Sequence, residues 1–87
     1  MSVVKTHIIH QQYRDSVQLM RAASAANKLE GIEIASVLMG TPKNKPLLNE
    51  VNLLTSEAQA AGANDIIISV RAKTEVLAQE AIKFILE

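Results

Sequence analysis

Asn64-Asp65-Ile66-Ile67-Ile68-Ser69-Val70 is the stretch on which the fold turns. Its aliphatic residues run almost without interruption, where a strand with one wet face would alternate apolar and polar positions. A nearly continuous apolar run suits a strand covered on both faces and placed centrally in a sheet. Asn64 and Asp65 punctuate its start.

Working outward from that strand, the chain alternates strands with helices. Val3 to His10 is short, β-branched and partly alternating, which predicts a first strand. Asp15 or Ser16 then caps a helix whose apolar positions Val17, Met20, Ala23, Ala26 and Leu29 recur at three and four residues, with Gly31 expected as its left-handed C′ residue. Ile32 to Met39 reads as the second strand, more deeply buried towards its end. After a corner at Gly40 to Pro46 come two short helices. The first holds Leu47, Leu48 and Val51; the second starts at Thr55 or Ser56, with Ser56 and Gln59 at capping-box spacing, and ends at Gly62. The last helix begins near Lys73 or Thr74, carries Leu77, Ala78, Ala81, Ile82 and Ile85 on one stripe, and is still running at Glu87. The order is βαβαβα, an α/β two-layer domain with a three-stranded sheet. The Gly40 to Gly62 segment is long enough for a parallel crossover, while an antiparallel third strand in a ferredoxin-like arrangement stays open.

Eighty-seven residues, 1–87, make one domain. A domain of this size buries only about 60 to 65 per cent of its unfolded surface, so its stability margin is thin. Nine basic and nine acidic residues cancel, which removes the long-range field that draws proteins to nucleic acid or anionic lipid. Tyr13 and Phe84 are the only aromatic residues, too few to stack single-stranded bases. Cysteine is absent, excluding disulfides and thiolate metal sites and suiting a reducing cytoplasm. No apolar run reaches the roughly 18 residues of a membrane span, and the first residues lack the apolar stretch of a secretory signal, so cytoplasmic is the expected location. Because the chain stops inside a helix, it looks like one cut at a domain boundary, with a small free-standing protein as the alternative.

The corner carries the candidate site. Gly40 permits a positive φ, Pro42 fixes its own φ and pushes Thr41 out of the helical region, and Asn44 is placed to cap the helix that Pro46 allows in its first turn. Open amides at a helix start beside Lys43 and Lys45 are the ingredients of an anion site. If the strands are parallel, the segments after them share one sheet edge, which adds Arg14, Arg71 and Lys73 and completes a cradle for phosphate or carboxylate. The expected ligand-binding residues are therefore Gly40, Thr41, Lys43, Asn44, Lys45 and Arg71, with solvated loop lysines as the plainer alternative.

No catalytic residues are expected. His7 and His10 are three apart, on opposite faces of a regular strand, and lack a third ligand, so no metal site is expected either. His10, close in sequence to Asp15, suits a solvent-facing strand end better than a general base. The serines lack the glycines of a nucleophile elbow. Met20 and Met39 read as core fillers. The alanine face of the first helix, Ala22, Ala23, Ala25 and Ala26, permits close approach of the sheet or a partner helix, and Glu75, Glu80 and Lys83 read as a solvated face.

Taken in order, Tyr13 to Met20, Val37 to Lys45, Leu54 to Ala58 and Gly62 to Ile68 resemble the amino-terminal segment of the FdrA family. That family is similar to the α subunit of succinyl-CoA synthetase, so the resemblance implies an acyl-CoA synthetase, a ligase using CoA, or carbamoyl-transfer chemistry. Such chemistry belongs to a CoA-binding domain and a ligase domain not contained in these residues. The resemblance carries Gly40, Thr41, Asn44 and Lys45 over as a signature loop, with Asp15, Ser16 and Asp65 secondary. It implies a non-catalytic domain, without a cofactor of its own, that positions an anionic small molecule or the CoA-binding domain. The rival expectation is a ligand-free regulatory module that forms a homodimer through its sheet or its alanine-rich helix.

Overall fold

The computed structural model describes residues 2–87. Its elements are β1 (Val3–Ile9), α1 (Ser16–Ala26), β2 (Ile32–Met39), α2 (Lys45–Glu50), α3 (Ser56–Ala60), β3 (Ile66–Ala72) and α4 (Glu75–Leu86). The sheet has three strands in the order β1-β3-β2, and β3 pairs antiparallel with both neighbours. The ferredoxin-like alternative is therefore the observed one. A parallel third strand is ruled out, because β1 and β2 run together while β3 returns between them.

Central placement explains the composition of β3. Ile66, Ile68, Val70 and Ala72 face α1 and α4, where they join Leu19, Ala26, Val37, Ala78, Ala81 and Ile82 in one buried cluster. Ile67 faces the other way, into a smaller cluster with Leu48, Leu53, Ala58 and Ala61. The α2–α3 connection thus lies over the sheet face opposite the two longer helices. Burying a side chain such as Leu48 or Leu53 contributes about 1.5–3 kcal/mol relative to leaving it in water. The alanines of α1 pack against this interior: Ala26 is buried, and Ala22 and Ala23 lie against the same cluster. Close approach to the sheet is what that face provides.

Helix ends follow the expected caps at three places. Asp15 accepts from the Val17 N–H at 3.3 Å, Thr55 from Ala58 at 3.2 Å and Thr74 from Leu77 at 3.2 Å. The end of α1 differs from expectation. It stops at Ala26 with Asn27 as the cap, well short of Gly31. The reason is the Asn27 amide, whose Nδ2 donates to the carbonyls of Ala23 at 2.8 Å and Ala35 at 2.9 Å, while its Oδ1 accepts from the Ala35 N–H at 2.9 Å. The side chain behaves as a one-residue strand laid along the outer border of β2. Gly31 takes φ +79° in the following turn, where any Cβ would run into Leu77, and its carbonyl accepts from Lys73 at 2.9 Å.

Candidate functional site

The antiparallel topology sorts the candidate residues into two groups. The ends of β1 and β2 and the beginning of β3 meet at one border of the sheet, which brings His10 to Gln12, Gly40 to Lys45 and Gly62 to Asp65 together. Arg71, at the far end of β3, lies at the opposite border. There its Nε is 3.2 Å from Glu33 Oε1, and its guanidinium donates to the Val51 carbonyl at 2.8 Å. Lys73 belongs to that end too, bonded through its N–H to Gly31. The basic residues therefore do not form one cradle. That grouping required parallel strands.

Three amides at the start of α2 are engaged internally. Asn44 N–H donates to the Thr41 carbonyl at 3.0 Å and Lys45 N–H to the same oxygen at 3.1 Å, while Leu47 N–H donates to Asn44 at 3.0 Å. Pro46 has no N–H to offer. Asn44 caps no amide with its side chain, which turns back and donates to the Met39 carbonyl at 3.0 Å. The Lys45 ammonium reaches the carbonyls of Gln59 at 2.6 Å and Ala61 at 2.7 Å, at the end of α3. Lysine satisfies the otherwise orphaned carbonyls of a helix end in this way. Lys43 is solvent-exposed.

Gly40 serves a purpose other than the expected one. It keeps an ordinary negative φ, since Gly31 is the glycine with a positive value. A Cβ at Gly40 would lie 2.5 Å from the Gly62 carbonyl oxygen and 3.3 Å from Ile67 Cδ1. Close backbone approach between the end of β2 and the turn before β3 is what requires glycine here.

Asp65 is the residue whose centrality a linear reading understates. Its carboxylate accepts from the N–H of Gln11 at 2.9 Å and of Gly62 at 2.8 Å, and stands 3.3 Å from His10 Nδ1. The Asp65 carbonyl also accepts from Gly40 N–H at 2.8 Å. One residue thus ties the ends of all three strands. The amides of Gln11, then Gly62, hold its carboxyl below the usual carboxylate range, against the opposing cost of removing it from water, and His10 adds to the lowering. Gln11 sits at φ +50°, and the bond to Asp65 secures that turn. The signal in the sequence was an acidic residue immediately before a buried apolar run.

His7 projects from β1 on the face shared with Ile68 and is exposed, whereas His10 lies in the turn against Asp65. Among the described residues no three His, Cys, Asp or Glu side chains come together at metal-binding spacing. No helix of the described residues is long and apolar enough to cross a membrane.

Comparison with known sequences places this geometry in a lineage. A family described as AllF, heavy metal-associated domain, matches residues 1–87. The chain belongs to that family. It is also 42% identical over 71 residues to "Uncharacterized protein YahF" of Escherichia coli (strain K12), a match covering 82% of this chain and 14% of YahF. The chain therefore spans only a small part of the length of this curated relative. No solved structure matches. These findings overturn the FdrA assignment, and with it the acyl-CoA synthetase, ligase and CoA associations that rested on it.

The family's description raises a heavy-metal ion, and the residues present do not fit one. Soft and borderline ions are held by thiolates, thioethers and imidazoles. This chain has no cysteine, two histidines and three methionines, and the pocket that Met20 and Met39 share is otherwise lined by aliphatic side chains, Ser16 and Asn44, with no imidazole or carboxylate to complete a ligand set. His10 has one carboxylate neighbour, Asp65, whose two oxygens already accept backbone N–H groups. Metal ligation there would compete with the bonds that hold two turns in place, and the pair offers no third ligand.

Proposed function

We propose that this chain is a non-catalytic structural module of a longer protein, holding neither a heavy-metal centre nor an anion at its strand-end border. The observation that carries the reading is the inward commitment of the chemically capable groups. The Asp65 carboxylate and the Lys45 ammonium, the charged groups positioned deepest at that border, are satisfied by backbone atoms of their own chain. A site poised for a ligand holds such groups towards the ligand instead. The small share of YahF covered by the match supports the same reading, since most of such a protein lies outside this domain.

Backbone amide NMR of the chain titrated with zinc, silver (a redox-stable surrogate for copper(I)) and inorganic phosphate tests it. The expected result is no saturable shift at His10, Gln11, Thr41 to Lys45 or Asp65 at millimolar ligand. A stoichiometric complex in the micromolar range at either place refutes the proposal.

A further inference from the structure

The two outer borders of the sheet are finished differently. Hydrogen bonding of Gly40 N–H to the Asp65 carbonyl places Gly40, Leu38, Ser36 and Ile34 as the residues of β2 whose backbone groups face β3. Ala35, Val37 and Met39 therefore face outward. Side chains occupy two of these three positions, with Asn27 on both polar groups of Ala35 and Asn44 on the Met39 carbonyl. On β1 the same alternation turns Val3, Lys5, His7 and Ile9 towards β3, and Val4, Thr6 and Ile8 outward. Among the described residues no side chain bonds those outward backbone groups, and β1 is left as a bare ladder.

We propose that two copies of this chain join along β1, antiparallel about Thr6, to form one continuous six-stranded sheet. This goes beyond the structural-module reading by naming a surface and its occupant. The strand is self-complementary about its centre: in Val3-Val4-Lys5-Thr6-His7-Ile8-Ile9 an antiparallel copy sets Val4 against the second copy's Ile8, with Thr6 opposite Thr6. The three outward residues, each with one donor and one acceptor, then close six bonds between copies.

The helix on the opposite face, where Lys5 projects, matches this symmetry in charge. α4 touches both β1 and β3 and starts at the same end of the sheet as β1, so it runs alongside β1 in the same direction. With strands about 4.8 Å apart, the twofold brings two α4 helices to about 10 Å, within the range of packed helices. Glu75, Gln79 and Lys83 form one exposed row at four-residue spacing beside Lys5 and Val76. Reversed against itself, that row sets Glu75 against the second copy's Lys83, twice, with Gln79 at the axis. Lys5 is already held by Gln79 at 3.1 Å and lies 3.6 Å from Glu75, which offsets its charge at the seam. An isologous interface of this kind is what a cyclic dimer requires.

Sedimentation of the full chain from micromolar to millimolar concentration reads the proposal, with hydrogen exchange at each end of the range. The expected outcome is a dimer in which the amides of Val4, Thr6 and Ile8 slow with concentration while that of Val37 does not. Lys83→Glu weakens the dimer roughly tenfold, as expected for turning two attractive exposed pairs repulsive, and adding Glu75→Lys recovers part of that loss, since the second change rebuilds the pairs across the axis while setting a cation beside Lys5. A monomer at millimolar concentration overturns the proposal. So does a dimer that is indifferent to the charge reversal or that protects Val37 instead.

Discussion

Replacing Asn27 by alanine removes three hydrogen bonds with little loss of apolar packing. Two of them are part-buried and serve the N–H and carbonyl of Ala35, a residue 3% exposed; the third, to Ala23, is open to water, which replaces it. A net bond contributes about 0.5–1.5 kcal/mol, and a buried group left without a partner costs about 1–3 kcal/mol. The expected loss is therefore about 2–3 kcal/mol, a large part of the stability of so small a domain. For a chain of this length each kcal/mol moves the melting temperature by roughly 4–8 °C, so the variant should melt at least about 8 °C lower. Equilibrium urea denaturation followed by circular dichroism gives the free energy directly. Asn27→Asp is the informative companion. Its carboxylate still accepts from Ala35 N–H but sets a charged oxygen against the Ala23 and Ala35 carbonyls, at the C-terminal end of α1, so at neutral pH its stability should fall to the alanine level or below it and recover as the carboxylate is protonated. If Asn27→Ala costs under about 0.5 kcal/mol, the border of β2 does not depend on this amide and the reasoning fails.

Two further perturbations probe the strand-end border. Gly40→Ala places a methyl 2.5 Å from the Gly62 carbonyl, a backbone atom that yields only if the turn moves, and should cost about 1–3 kcal/mol in thermal or urea unfolding; an unchanged midpoint would show that the close approach is dispensable. Asp65 has a depressed folded-state pKa, so its contribution is complete above the ordinary carboxylate pKa and drains away as pH falls through the folded value. Asp65→Asn should thus be less stable than wild type at neutral pH, with the gap closing as pH falls through and below the ordinary carboxylate range; a gap that stays constant on acidification would exclude the carboxylate as its origin.

Much of the architecture was legible because burial leaves a mark on residue type. The unbroken Ile66 to Ile68 run announced a strand sheltered on both sides, and the three- and four-residue recurrence in α4 gave its inner face. On α1 the recurrence misplaced the first turns: Val17 and Met20, the latter read as a core filler, are exposed, and Leu19 is buried instead, because Ala22, Ala23 and Ala26 set the face that meets the sheet. Strand direction was not legible, since Gly40 to Gly62 is long enough for either crossing, and the direction of β3 decides where Arg71 ends up. Glycines were informative in part. Gly62 directly follows Ala61, the cap that ends α3, and Gly31 takes the expected left-handed φ, but α1 ends earlier, at an asparagine, and Gly40, read as a residue of unusual φ, answers to a neighbouring carbonyl remote in sequence. The lysine-rich corner had the composition of an anion cradle. Composition does not say where an ammonium group finds its partners, and for Lys45 those partners lie 14 and 16 residues further on. Asp65 was noticed as punctuation, because its significance depends on Gln11, more than fifty residues away.

The unequal finish of the sheet sets a limit on growth. A domain with two bare edges could add copies without end and drift towards fibrils, the hazard of any exposed strand. Here asparagines seal both ends of one margin, leaving Val37 between them, so the pairing proposed for the other stops once that margin is filled. Loss of the Asn27 seal would thus do more than lower a melting temperature, because under the proposed pairing along β1 it would leave each dimer with two open margins through which to polymerise.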